Sequence, residues 1–468
     1  MKKELLMMMV VLFPAITQAQ AEIEAQMVAE AQMVAEAQIV AEAQTVAQTQ
    51  AAAKYQFTLE ACIQYAMDRN YERQSWKLAE VSSQAAYRQA RDERLPAVHA
   101  VWSESFTHSS KYQANGATTG GASTGGNYIV NATMPVYQGG TINQTMKQSR
   151  LQMEQAGYQT LRYDNELTVR ILNAFLSVLG DEELMKYQMA VEAASEKQLQ
   201  QGKEQFRSGT ILESDFLLLE AQYATDRNNL VDTEITRNNS LLALKSLLSI
   251  HPDDDLQIIY PDTSAIFGMS LLPVQSDVTE RALNHLPDIK ISHYQVAIAH
   301  TGVAIAKAGY LPVISLGASL GAGHAGFSHL GTQLNDRMNE QIGLTVSIPV
   351  FNRNRTKTDV TRSKIALQQA EMSQKQTELN LRQVVIQEYQ EVVSAYNKYR
   401  VAEIRKNACL KSFEVYGVQF GAGAITAVEL LLQQNSYISV LNDYIQNKYR
   451  FILKRKILDV YMGEQIKF

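Results

Sequence analysis

One stretch of this chain, Asn127 to Gly140 (NYIVNATMPVYQGG), occurs twice, and that duplication constrains the fold more than any other feature. Glu340 to Asn354 (EQIGLTVSIPVFNRN) repeats its frame: alternation over about ten residues, then Pro-Val-aromatic, then a polar turn opening a long Gln-rich segment. In the first copy Tyr128, Val130, Ala132, Met134 and Val136 fall on one face, with Asn127, Asn131 and Thr133 on the other. In the second, Ile342, Leu344, Val346, Ile348 and Val350 oppose Gly343, Thr345 and Ser347. A period of two with one apolar and one polar side predicts amphipathic strands.

Each copy has a partner just upstream. Arg94-Leu95-Pro96 leads into AVHAVWSESFTHSS, and Tyr310-Leu311-Pro312 into VISLGASLGAGHAG, where Ile314, Leu316, Ala318, Leu320 and Ala322 alternate with Ser and Gly. Loops rich in Gly, Ser, Thr and Asn separate the partners, as at hairpin tips. The four strands have the length of membrane-spanning strands. Tyr128, Val130, Met134, Leu316, Leu320, Ile342, Leu344 and Val346 are the residues expected to face lipid. Four strands cannot close a barrel, because open edges in hydrocarbon leave backbone groups unpaired. Two copies would give about eight strands, whose lumen side chains nearly fill, and three would give about twelve, with room for water. A closed three-fold assembly is therefore expected.

The remainder reads as helix. The chain has 468 residues and a formal net charge of -5, a balance that gives no sign of nucleic-acid binding. Met1-Lys2-Lys3 followed by LLMMMVVLFPAI reads as a signal segment over 1–21, cleaved near Ala19 or Ala21. Residues 22–54 carry a hexapeptide repeat (AQMVAE, AQMVAE, AQIVAE, AQTVAQ) whose period fits neither helix nor strand. The two cysteines, Cys62 and Cys409, read as small helix-packing residues rather than as a disulfide or a ligand pair.

Residues 55–252 form a first expected repeat: a helix interrupted near Asn70-Tyr71 with Ile63, Ala66, Met67, Val81, Ala85 and Ala86 as its apolar stripe, a β-hairpin at about 95–137, and a long helical hairpin at about 141–250. Thr141 to Phe206 has no proline and, if helical, is about 100 Å long. Its Gln144, Gln148, Gln152, Gln155 and Gln159 suit the wall of a water-filled tube, or the face of an ordinary antiparallel coiled coil. A connector at 253–276 leads to a second repeat, 277–468, with a hairpin at about 311–351 and a helical hairpin at about 356–462. Pro135 and Pro349, like Gly209 and Gly423, are 214 positions apart, which marks a two-fold internal repeat. At each helical reversal a glycine follows a phenylalanine by three (Phe206 and Gly209; Phe420 and Gly423) and precedes a carboxylate by six (Asp215; Glu429). Glycine permits the left-handed backbone that ends a helix, and an acid in the next first turn favours its dipole.

These residues together resemble the TolC family of outer-membrane efflux proteins over nearly all of Phe57 to Gly463. The segments that carry the likeness are FTLEACIQYAMDRN, RQARDERLPAV with AKAGYLPVISL, MPVYQGG with IPVFNRN, and FRSGTILESDFLLLEAQ with FGAGAITAVELLLQQ. The resemblance implies a mainly α fold: a trimeric α-helical barrel through the periplasm, continuous with a twelve-stranded β-barrel in the outer membrane of a Gram-negative cell. It implies an exit duct with the chain itself as homotrimeric partner, docking on a periplasmic adaptor and energised by an inner-membrane transporter of RND, ABC or MFS type. A type I protein-secretion duct is the alternative within the family. Phe206, Gly209, Phe420 and Gly423 would shape the adaptor-docking tips. Glu429 matches a position where an acid faces the periplasmic aperture, and like charges around a three-fold axis would attract cations. Leu432 stands where some relatives place a second acid, and Asp215 either joins the ring or caps its helix.

His285, His293 and His300 recur at near-heptad spacing, which suits a polar helix face better than a metal site. No phosphate loop, cofactor fingerprint or nucleophile elbow is present, so neither an enzyme nor a cofactor is expected. A periplasmic coiled-coil scaffold whose strands merely cap the helices is the reading from a different class, distinguished by solubility without detergent.

Overall fold

The computed structural model describes residues 55–112, 118–260, 273–326, 332–333 and 337–464. The expected signal segment and hexapeptide repeat lie outside the described residues, as do positions 261–272 of the connector. In chain order the elements are β1 (Tyr55–Phe57), α1 (Leu59–Arg69), α2 (Tyr71–Asp92), β2 (Ala97–Tyr112), β3 (Thr118–Gln138), α3 (Thr141–Arg207) and α4 (Glu213–Leu248). Then follow β4 (Leu256–Ile258), α5 (Gln275–His285), α6 (Pro287–Ala308), β5 (Val313–Ala325), β6 (Asn339–Ser347), α7 (Arg355–Gly421) and α8 (Ala427–Tyr461). The helices come in pairs of matched length: 11 residues for α1 and α5, 22 for α2 and α6, 67 for α3 and α7, and 36 against 35 for α4 and α8. Each 67-residue helix is about 100 Å long. Two compact units result, one from Ser83–Met153 and Ala297–Gln369, the other from Ala52–Ser82, Glu154–Val296 and Ala370–Phe468.

The first unit contains a four-stranded antiparallel sheet in the order β2-β3-β5-β6. Its register aligns Val98, Ala132, Ala318 and Ile342 across all four strands, and Met134, Leu316 and Leu344 across three. Because side chains alternate, these share one face with Ala100, Trp102, Tyr128, Val130, Leu320 and Val346. The opposite face carries Ser103, Asn127, Asn131, Thr133, Ser315, Ser319, Thr345 and four glycines or more. Val136 does not continue the apolar face: a bulge between Pro135 and Tyr137 leaves it out of the ladder and brings Tyr137 opposite Ile314. Proline lacks the N–H that the ladder needs, which is the physical reason for the break there. In the second copy β6 stops at Ser347, so Ile348 and Val350 lie past its end. The left-handed pair Gly139-Gly140 that turns β3 into α3 is matched by Arg353 and Asn354, at φ 55 and 60.

The second unit is helical. Thr58 accepts from the Ala61 amide at 3.3 Å and starts α1. The interruption expected at Asn70 is a helix cap: Asn70 is extended, its Oδ1 accepts from the Arg73 amide at 2.9 Å and the Tyr163 hydroxyl at 3.2 Å, and its Nδ2 donates to the Leu247 carbonyl at 2.9 Å. The core joins Leu59, Cys62 and Ala66 of α1 to Leu167, Ile171, Phe175 and Leu179 of α3, Leu241, Leu244 and Leu248 of α4, and Ile452 of α8. Ile63 and Met67 pack on its margin. Val81, Ala85 and Ala86, expected on the apolar stripe of α2, are exposed instead, while Ala90 is buried. A short parallel pair, β1 with β4, flanks this core.

Two of the glutamines expected to line a water-filled wall do something else. Gln148 Nε2 donates to the Ile298 carbonyl at 3.4 Å, and Gln155 Nε2 to the Ile291 carbonyl at 3.2 Å, so both tie α3 to α6. Amide side chains satisfy backbone acceptors when half-buried, and here that demand outweighs solvation.

Candidate functional site

Two surfaces carry the features singled out in the sequence. The first is the apolar face of the sheet. Ile342, Leu344, Val346, Val98 and Trp102 are more than half exposed on it, and Leu316 and Met134 somewhat less. Tyr128, Val130 and Leu320 are half-buried between them. Aromatic side chains stand at both ends: Tyr137 opposite Ile314, and the Trp102–Tyr128 pair, whose rings are 5.7 Å apart edge to face. Beyond that pair the same face turns polar. Glu104 accepts from the Tyr128 hydroxyl and from Trp102 Nε1 at 3.4 Å, and His324 Nε2 lies 3.2 Å from Glu104 Oε1. His324 is 3 % exposed, stacks on Tyr128 and reaches the Gly326 carbonyl through Nδ1 at 3.0 Å. Nothing in the local sequence announces this cluster, because its members come from three strands.

The second surface is the pair of helical reversals, both in the second unit. They share one construction. At the first, the Gly209 amide donates to Phe206 O at 3.0 Å and the Thr210 amide to Gln205 O at 2.8 Å. At the second, Gly423 and Ala424 donate to Phe420 O at 3.0 Å and Gln419 O at 2.9 Å. These are paired C-terminal caps with the left-handed residue at φ 74 and 72, and a Cβ at either glycine would meet nothing within 4 Å, so backbone conformation alone demands glycine. The phenylalanines differ. Phe206 is 39 % exposed and stacks on Phe216 at 5.5 Å, whereas Phe420 is 2 % exposed and packs with Leu219, Ala427, Leu430 and Leu431. Phe420 therefore holds its reversal together from inside and presents no surface.

The two carboxylates also differ. Glu429 closes a capping box: the Thr426 amide donates to its Oε2 at 2.9 Å, the Thr426 hydroxyl approaches the same oxygen at 3.1 Å, and the Glu429 amide donates to Thr426 Oγ1 at 3.4 Å. At the matching place in the first reversal stands Leu212, which offers no side-chain cap, so Asp215 is not drawn into an equivalent box. Leu212 and Leu432 are both exposed. Close behind the first reversal, Gly202 of α3 lets Leu219 of α4 approach so closely that a Cβ would lie 2.4 Å from Leu219 Cδ1.

The histidines of α5 and α6 form no cluster: His293 Nδ1 faces Gln374 Nε2 at 3.3 Å, and among the described residues no group of three or more metal-ligating side chains occurs. Among the described residues no helix is long and apolar enough to cross a membrane, which says nothing of a barrel. Cys62 is fully buried and Cys409 half-buried, and both are free.

Comparison with known proteins fits this arrangement. A family model described as outer membrane efflux protein matches residues 62–249 and 278–464. The toxin and drug export protein A of Aggregatibacter actinomycetemcomitans is 30 % identical over 143 residues, which are 30 % of this chain and 29 % of that protein. The outer membrane protein TolC of Escherichia coli K12 is 21 % identical over 323 residues, 65 % of this chain and 63 % of TolC. The chain thus spans less than two thirds of the length of these curated relatives. A crystal structure of CusC aligns with a TM-score of 0.74 at 16 % identity, over 87 % of this chain and 92 % of that one. The outer membrane protein VceC of Vibrio cholerae aligns at 0.67 and 15 %, over 87 % and 97 %. Those two structures share the fold, and the match of the family model over both halves establishes that the chain belongs to the outer membrane efflux protein family, that of TolC.

Proposed function

We propose that three copies of this chain form a passive outer-membrane exit duct, loaded from the periplasm through an adaptor protein and energised by an inner-membrane transporter. The observation that carries it is the open, two-sided sheet of the first unit. From Tyr128 to Tyr137 the strand runs about 30 Å, which at a tilt of about 40° spans about 23 Å. That is the height of the apolar band of an outer-membrane barrel, with aromatic residues at each boundary. The lipid-facing set is Tyr128, Val130, Met134, Leu316, Leu320, Ile342, Leu344 and Val346, and the Ser, Thr, Asn and Gly face lines the lumen. β2 and β6 each have one unpaired edge, which in hydrocarbon must be satisfied by another copy.

Within this reading Phe206 with Gly209 forms the exposed docking tip, and the Phe420 and Gly423 reversal supports it. Asp215 and the Glu429 carboxylate supply the charge of the periplasmic aperture. One relative is named for the export of toxins and drugs, and the cargo proposed here is of those two kinds. The test is the mass and solubility of the purified chain. The expected result is a species of three chains that stays dispersed only in detergent. A monomer soluble in plain buffer would leave the coiled-coil scaffold in its place.

A further inference from the structure

Asp226 of α4 is 1 % exposed, yet among the described residues no cation accompanies it. Its Oδ1 accepts from Gln222 Nε2 of the same helix at 2.8 Å, and its Oδ2 from Gln434 Nε2 of α8, also at 2.8 Å. Ser195 of α3, whose hydroxyl also reaches the Val191 and Glu192 carbonyls of its own helix at 3.1 Å, adjoins it and favours its charged form. Gln434 is itself 1 % exposed and Ser195 2 %, so three helices contribute one enclosed polar layer. Toward the reversals that layer is followed by apolar packing of Leu219 with Leu430 and Leu431. Among the described residues no lysine, arginine, histidine or second carboxylate of α3, α4 or α8 acts on Asp226. Among the described residues the Gln434 Oε1 atom has no donor.

A carboxylate removed from water with only neutral donors is an expensive group to keep charged. The same Gln434 amide serves either protonation state: as drawn it donates to the carboxylate, and turned over its Oε1 accepts from a protonated carboxyl. We propose that Asp226, Gln434 and Ser195 form a proton-linked clasp that holds α8 against α3 and α4 when Asp226 is neutral and loosens when it must carry charge. Burial pushes the Asp226 carboxyl above the ordinary carboxylate range, with its neutral neighbours Ser195, Gln222 and Gln434 opposing. A group raised in this way contributes stability that is fully present below the open-state value of about 4. The contribution is lost as pH rises from there through the raised value.

The test uses the full chain purified in detergent, with amide hydrogen exchange of α8 around Leu430–Leu441 followed from about pH 4 upward and corrected for intrinsic rates. Opening of that segment is expected to increase with pH, approaching tenfold per unit while one proton is released on opening. In Asp226→Asn, a neutral isostere, the segment should be as protected near neutral pH as the parent is in acid. Superimposable pH profiles for the two proteins, or faster exchange of Asp226→Asn at every pH, would overturn the clasp. The infrared spectrum of the parent protein alone, followed with pH, gives an independent reading that does not depend on variant stability. A protonated-carboxyl band should persist above the ordinary carboxylate range of about 4, and its absence there would equally end the proposal.

Discussion

The two oxygens of the Glu429 carboxylate are used differently. Oε2 accepts from both the amide and the hydroxyl of Thr426, and Oε1 carries no bond among the described residues. Charge and cap can therefore be separated. In Glu429→Gln the amide oxygen can still close the box, so stability should stay within about 0.5 kcal/mol of the parent. Divalent-cation block of single channels should weaken, and Asp215→Asn should weaken it further. Unchanged conductance and block in both variants would remove these carboxylates from the aperture. The cysteines offer a second residue-scale outcome. Burial pushes the Cys62 thiol up to about 12, and the nucleophile is the thiolate. An alkylating reagent near neutral pH should label the native chain once, at Cys409, and label Cys62 only in denaturant. Equal native labelling would mean that α1 does not pack on α3 as described.

At the level of elements, the two return helices start with the same extended backbone and different chemistry. Thr426 sits at φ -80 and ψ 158 and caps α8, while Leu212 sits at φ -74 and ψ 155 and caps nothing at the head of α4. Thr426→Ala should cost about 1 kcal/mol, and Leu212→Thr should gain a similar amount, because Leu212 is 71 % exposed and surrenders little packing. Denaturant unfolding of the two variants checks both signs. Much of this element plan was legible in the chain: alternation located the four strands, the interruption near Asn70-Tyr71 marked the end of α1, and glycine spacing located both reversals. Three things were not. The Pro135 bulge needs the partner strand to reveal which residue drops out of the ladder. β1 and β4 are three residues each, too short for any period to show. The outward turn of Val81 on α2 depends on which side of that helix the rest of the chain leaves uncovered.

At the scale of the molecule, the residues that escaped sequence reasoning are polar groups whose partners lie far along the chain. Asp226 meets Gln434 across 208 positions, and Glu104 meets His324 across 220. Gln148 and Gln155 looked like solvent-facing amides because the carbonyls they bind, Ile298 and Ile291, belong to another helix. Periodicity reports which side of an element is buried, but not which distant donor makes burial of a carboxylate or amide tolerable. Family membership rests on order and duplication over both halves, features that need no such knowledge.

The equal 67-residue spans of α3 and α7 couple the two halves of the gene product as the two legs of a ladder are coupled. Excising one heptad from either alone would offset its reversal by about 10 Å and pull Leu219 away from Phe420 and Leu430, which now share a core. Lengthening or shortening is tolerable only in tandem, so the two helical hairpins can change length only through matched edits in both copies.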